Sequence, residues 1–116
     1  MVPGMGEVPG LQMKSDIEPG RIKGAPAKTQ ILLSGMQQVQ GFAVNKVEMR
    51  QYVERTDDTL GDYSLLTVVV ETDRGAVEMK YDEGFRGPDA LGSAVMMLTR
   101  YVGLSSLINR ALIELQ

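Results

Sequence analysis

The middle of the chain alternates apolar and polar residues, which is typical of antiparallel strands that keep one face toward solvent. The alternation is clearest over residues 47–54, where Glu48, Arg50 and Tyr52 share the polar side. The phase slips by one residue at 45–46, which predicts a β-bulge at that point. The pattern predicts four strands, at residues 29–34, 42–55, 63–71 and 76–82.

The last two strands are joined by the sequence Thr-Asp-Arg-Gly at residues 72–75, which predicts a tight hairpin turn. Counting across this turn places Val69 beside Val77 on one face. The other face then receives three apolar and two charged residues: Leu66, Val68, Val70, Glu78 and Lys80. A half-apolar face needs a cover, and the alternatives are the N-terminal segment, another subunit, or a helix around which the sheet twists. We predict that Leu66, Val68 and Val70 contact a partner.

The last thirty residues predict two helices, because their apolar residues recur at helical spacing. Gly87-Pro88-Asp89 is a start signal for the first helix, with proline at its first position. Gly103 is placed to end that helix. Ser105 or Ser106 is the candidate N-cap of the second helix.

The apolar stripe of the first helix consists of Leu91, Ala94, Val95, Leu98, Tyr101 and Val102. Three further large apolar residues, Met96, Met97 and Ile113, lie outside the stripes of both helices. Methionine packs adaptably and is frequent at surfaces that meet partners. We therefore predict Met96 and Met97 as partner contacts.

Strands followed by helices predict an α+β fold. The expected architecture is a four-stranded antiparallel sheet, followed by two C-terminal helices packed on one face, with an extended N-terminal arm. We place the arm at residues 1–28 and a single α+β domain at residues 29–116.

The arm contains four of the five prolines and three Pro-Gly pairs, which favour turns over helices or long strands. Unlike a typical disordered tail, it carries apolar residues at intervals. A groove could hold an extended chain by such residues, and the predicted anchors are Val8, Leu11, Met13, Ile17 and Ile22. Docking on a neighbouring subunit is the favoured interpretation, and docking on the chain's own domain is the alternative.

The composition removes most catalytic chemistry, because the chain has no histidine and no cysteine. Catalytic triads, structural zinc sites, haem ligation of the usual kind and disulfides are thereby excluded. The acidic loop of Asp57, Asp58 and Asp62 does not have the spacing of an EF-hand, and no phosphate-binding glycine motif is present. We therefore predict no enzymatic activity, no cofactor and no metal site.

Nucleic acid is the alternative partner, because sheets bind single strands by base stacking and by phosphate contacts. Arg50 and Tyr52 share a strand face and are the candidate residues for this role. Glu48 and Glu54 flank them, and the net charge of the chain is −3, which is unfavourable for phosphate.

The leading hypothesis is a non-catalytic structural or interaction module that forms a homo-oligomer or a larger complex, with a viral particle as one setting. It would use the arm and the apolar sheet face to bind other proteins, chiefly copies of itself. A single-stranded nucleic-acid-binding domain is the alternative. With neither a membrane span nor a signal peptide expected, we place the protein in the cytoplasm or within an assembled particle.

Overall fold

The computed structural model describes residues 26–54, 63–81 and 89–116. Within them lie four strands, two α-helices and one π-helical segment between the helices. Their bounds are β1 Lys28–Val39, β2 Phe42–Glu54, β3 Tyr63–Thr72, β4 Gly75–Tyr81, α1 Ala90–Met97, the π segment Leu98–Val102 and α2 Leu104–Leu115. The arm anchors predicted at Val8, Leu11, Met13, Ile17 and Ile22 lie outside the described residues.

The predicted α+β fold is confirmed. All neighbouring strands are antiparallel, and their order in the sheet is β1-β2-β3-β4. Helix α1 packs against β1 and β2, and α2 packs against β4. One apolar core lies between the helices and the sheet face that carries Val47, Met49 and Val68.

Strand β1 is longer than predicted, since it runs to Val39 instead of ending before Gly35. Gly35 has a φ of 90°, and the pairing of β1 with β2 shifts register between Ser34 and Gln37. Glycine accepts such a φ without strain, so the chain forms a bulge here and continues as a strand. The bulge predicted at 45–46 is confirmed by a register shift between Val44 and Lys46.

The faces of the last hairpin differ from the prediction. Only Asp73 and Arg74 form the turn, so Thr72 pairs directly with Gly75. This register sets Leu66 opposite Tyr81, Val68 opposite Met79 and Val70 opposite Val77, whereas Val69 lies opposite Glu78. Opposed residues on antiparallel strands share a face, and the predicted assignment of faces was therefore wrong.

The correct register changes the role of three predicted partner contacts. Leu66, Val68 and Val70 are buried with the apolar residues of β4, under the helices of the same chain. Of the covers considered from the sequence, the structure shows the chain's own helices packed on this face. These three residues belong to the core of the domain, which is a correction to their predicted place on a partner surface.

The helical region contains a π-helical interruption that the apolar spacing did not predict. The backbone N–H of Gly103 donates to the carbonyl of Leu98 at 2.7 Å, five residues back. The Thr99 hydroxyl also donates to the Val95 carbonyl at 2.8 Å, a bond of the kind that bends helices. Gly103 ends the segment with a φ of 91°, as its position predicted. Neither predicted serine caps α2, which begins at Leu104 without a side-chain cap.

Candidate interaction surface

The sheet face turned away from the helices carries a charged network centred on Arg50. Every second residue of β2 faces this side, which brings Glu48 and Tyr52 next to Arg50. The Arg50 guanidinium lies 3.1 Å from the Glu48 carboxylate and 3.7 Å from the Glu78 carboxylate of β4. It also donates a hydrogen bond of 3.4 Å to the Tyr52 hydroxyl. One cation is therefore matched by two carboxylates.

Glu78 is the acceptor at which the network closes across the sheet. The Thr67 hydroxyl donates to its Oε2 at 2.7 Å, and the Tyr52 hydroxyl donates to the same oxygen at 3.0 Å. At the other end, the Lys46 ammonium lies 3.3 Å from the Glu48 carboxylate. The side chains of β2, β3 and β4 are thus held together by charge-assisted bonds, which are stronger than neutral ones.

The network shifts the titration of its members. Burial raises the pKa of Glu48, but the hydrogen bonds and charges of Arg50 and Lys46 outweigh it and hold that pKa below its ordinary value. Burial lowers the pKa of Arg50, and its contacts with Tyr52 and Glu48 reverse this to a net increase. The pKa of Tyr52 is raised, first by burial and then by its bond to Glu78, against the opposing effect of Arg50.

These contacts bear on the nucleic-acid hypothesis, which named Arg50 and Tyr52. Tyr52 is only 6% exposed, so its ring is not presented for stacking on a base. The charge of Arg50 is already met by Glu48 and Glu78. This geometry does not favour the nucleic-acid role, which stays a prediction.

A different surface is open and apolar. A groove of about 550 Å³ lies along α1 and the π segment, beside the beginning of β1. Four apolar residues, two small residues and two charged residues line it: Leu91, Met96, Met97, Tyr101, Gly92, Ser93, Lys28 and Asp89. We call this surface the α1 groove.

The α1 groove contains one pair of residues that the sequence predicted as partner contacts. Met96 is 56% exposed, as expected of a residue outside the apolar stripe. Met97 is half-buried and packs against the core from the groove. Whether they meet a partner stays a prediction.

Tyr101 was missed by the sequence analysis, which placed it in the buried stripe of the first helix. In the structure it is 72% exposed and lines the α1 groove. A π-helical turn holds more residues than an α-helical turn, so residues within the π segment rotate away from the face that 3.6-residue spacing predicts. The sequence does contain a signal for an irregular helix end. Thr99, a residue type that bends helices, is followed closely by Gly103, a residue type that ends them.

The outer side of β1 is a second exposed surface. In the sheet order β1 is an edge strand, and Ile31 and Met36 on it are largely exposed. Edge strands offer backbone groups to other chains, and bulges limit such pairing. The two register shifts of β1 are bulges of this kind.

Within residues 26–54, 63–81 and 89–116, no group of three or more acidic side chains is arranged to hold a metal ion. The acidic loop at residues 57–62 lies outside them. In the same described part, no single helix is long and apolar enough to span a membrane; Ala90–Val102 and Leu104–Leu115 pass that test only as a pair, across a 95° bend.

Comparison with known protein families, with curated proteins and with solved structures finds no match to this chain. The described residues thus present three surfaces: a polar network on the sheet, the open apolar α1 groove, and the exposed edge of β1.

Proposed function

We propose that this chain is a non-catalytic structural module that assembles with further copies of itself, connected by the N-terminal arm. One observation carries the proposal: the exposed apolar α1 groove is lined at one point by Lys28, where the arm joins β1. Exposed apolar surface rimmed by polar residues is characteristic of protein interaction sites. The same chain thus has a receiving surface and a segment with spaced apolar residues.

The length of the arm supports a connection between copies. The 25 residues that precede the described part can span about 80 Å when extended. The structure measures 47 × 27 × 27 Å along its principal axes. The arm is therefore long enough to reach beyond its own domain to a neighbour.

The sheet contributes to the proposal in a different way from the one expected. Its apolar face is covered by α1 and α2, and its other face holds the network of Arg50, Glu48 and Glu78. Self-association is accordingly proposed through the arm and the α1 groove. We place such assemblies in the cytoplasm or within a particle, of which a virion is one kind.

The test is the mass of the full chain in solution, measured by light scattering over a range of concentrations. We expect a multiple of the single-chain mass of 12.7 kDa. Substituting Leu11→Asp together with Met13→Asp in the full chain is expected to reduce the mass to that of one chain, because charges replace two apolar anchors.

The matched control is Gln12→Asp together with Ser15→Asp, which adds the same charge to the same segment without removing an anchor. It is expected to keep the mass of the parent protein. A full chain that has a mass of 12.7 kDa at every concentration would overturn the proposed function.

A further inference from the structure

We propose that the α1 groove is the docking site for residues 7–14 of the arm of a second copy. This inference rests on the proposed function. It adds which surface receives the arm, which arm residues dock there, and that the arm docks on another copy of the chain. Residues 7–14 read Glu-Val-Pro-Gly-Leu-Gln-Met-Lys, a run that is apolar except for Gln12 and has one charge at each end.

The lining of the groove suits an extended apolar segment that contains proline. Met96 and Met97 offer flexible side chains that adapt to the shape of what they contact. The exposed ring of Tyr101 is a surface of the kind on which proline-rich peptides dock. Gly92 has no atom within 4 Å of the position a Cβ would take, so a peptide backbone can approach α1 closely there.

One pair of opposite charges supports this occupant. Asp89 is an acidic residue of the groove, and Lys14 ends the apolar run of the segment. Complementary charges at the rim of an interface fix register more than they add affinity.

The π segment is what places Tyr101 in the groove. Continued α-helical winding would turn this ring toward the core, in line with Leu91, Ala94 and Leu98. The π-helical bond from Gly103 to Leu98 removes it from that stripe and exposes it. Interruptions of this kind are frequent at functional sites, and here the interruption presents an aromatic side chain.

The length of the arm allows exchange between copies. The Ala27 N–H donates to the Gln51 carbonyl at 2.8 Å, so the chain is paired to β2 one residue before β1 begins. From this fixed point, the 25 residues that precede the described part can span about 80 Å when extended, which is enough to reach the groove of a second copy.

The experiment mixes two full-length variants. The arm variant carries Leu11→Asp and Met13→Asp, and the groove variant carries Met96→Glu and Tyr101→Glu. Both groove residues are more than half exposed, so both variants are expected to fold, which circular dichroism checks. Each variant alone is expected to self-associate at least tenfold more weakly than the parent. An equimolar mixture is expected to form a complex of both chains, since the intact arm of one variant meets the intact groove of the other.

Ile113→Glu on α2 is the matched control, because Ile113 is also exposed but lies outside the groove. It is expected to leave the mass of the assembly unchanged. The inference is overturned if the groove variant associates like the parent, or if the mixture forms no complex. In either case the proposed function still stands, provided that the arm variant dissociates. A full chain that is always monomeric overturns the proposed function and the inference with it.

Discussion

The network on the sheet face turned away from the helices gives the sharpest prediction, which concerns Arg50→Met. Methionine approximates the aliphatic part of the arginine side chain and carries no charge, so the substitution removes the guanidinium and keeps most of the packing of the stem. The lost contacts are those to the Glu48 carboxylate at 3.1 Å, the Glu78 carboxylate at 3.7 Å and the Tyr52 hydroxyl at 3.4 Å.

The expected cost follows from how far water can replace each lost contact. The Glu48 side chain is only 9% exposed, and a buried charged acceptor that loses its donor costs about 1–3 kcal/mol. The Glu78 side chain is more exposed, so the loss of its ion pair with Arg50 adds little to this cost, as is usual for accessible ion pairs. Lys46 stays beside Glu48 and offsets part of the loss. We expect the free energy of unfolding at pH 7 to fall by about 2 kcal/mol, which lowers Tm by about 10 °C.

The pH dependence has a defined sign. The pKa of Glu48 is held below its ordinary value of 4.5, so its ionised form stabilises the fold above that pH. This contribution is lost as the pH falls through the lowered pKa. Arg50 helps to hold the pKa down, so the variant and the parent differ most near neutral pH and converge toward pH 3.

The assay is urea unfolding at pH 7 and at pH 3, followed by circular dichroism. Arg100→Met is the control, since Arg100 is an exposed arginine on the π segment, and it is expected to change stability by less than about 0.5 kcal/mol. The reasoning is refuted if Arg50→Met lowers the free energy of unfolding at pH 7 by no more than the control does. It is also refuted if Arg50→Met lowers it equally at both pH values.

Three further predictions follow from the structure. Val68→Ala is expected to cost about 2 kcal/mol in urea unfolding without changing the mass of the assembly, because Val68 is fully buried in the core; a changed mass with unchanged stability would contradict this. Gly92→Ala is expected to raise Tm, since α1 has room for the added methyl, whereas Gly103→Ala is expected to lower it, because of its φ of 91°. The parent and Arg50→Glu should both fail to bind labelled single-stranded oligonucleotides at low salt; salt-sensitive binding lost in Arg50→Glu would instead support the nucleic-acid hypothesis.

Much of the fold could be predicted from local signals. Alternation marked β2 and the neighbouring strands, and Gly103 marked the end of the first helical stretch. The continuation of β1 past Gly35 was missed, because a glycine reads equally as a strand end or as a bulge. Only the pairing of β1 with β2 distinguishes the two.

The candidate surface was only partly predictable. Helical spacing correctly left Met96 outside the buried stripe, and composition drew attention to methionine as a partner contact. Tyr101 was assigned to the core, because a periodic pattern assumes uninterrupted winding. Arg50 and Tyr52 shared a face as expected, but the distance to Glu78 on another strand required the sheet register.

The sequence by itself determined the order of the elements, the residues that share a face within each strand, and the absence of histidine and cysteine chemistry. These properties depend on neighbours along the chain. Only the tertiary structure decided which sheet face the helices cover, since the two-residue turn at Asp73 and Arg74 sets the pairing of β3 with β4. It also decided that Leu66, Val68 and Val70 are core, and that the open apolar surface lies along α1. Such properties depend on contacts between distant segments, which no local pattern contains.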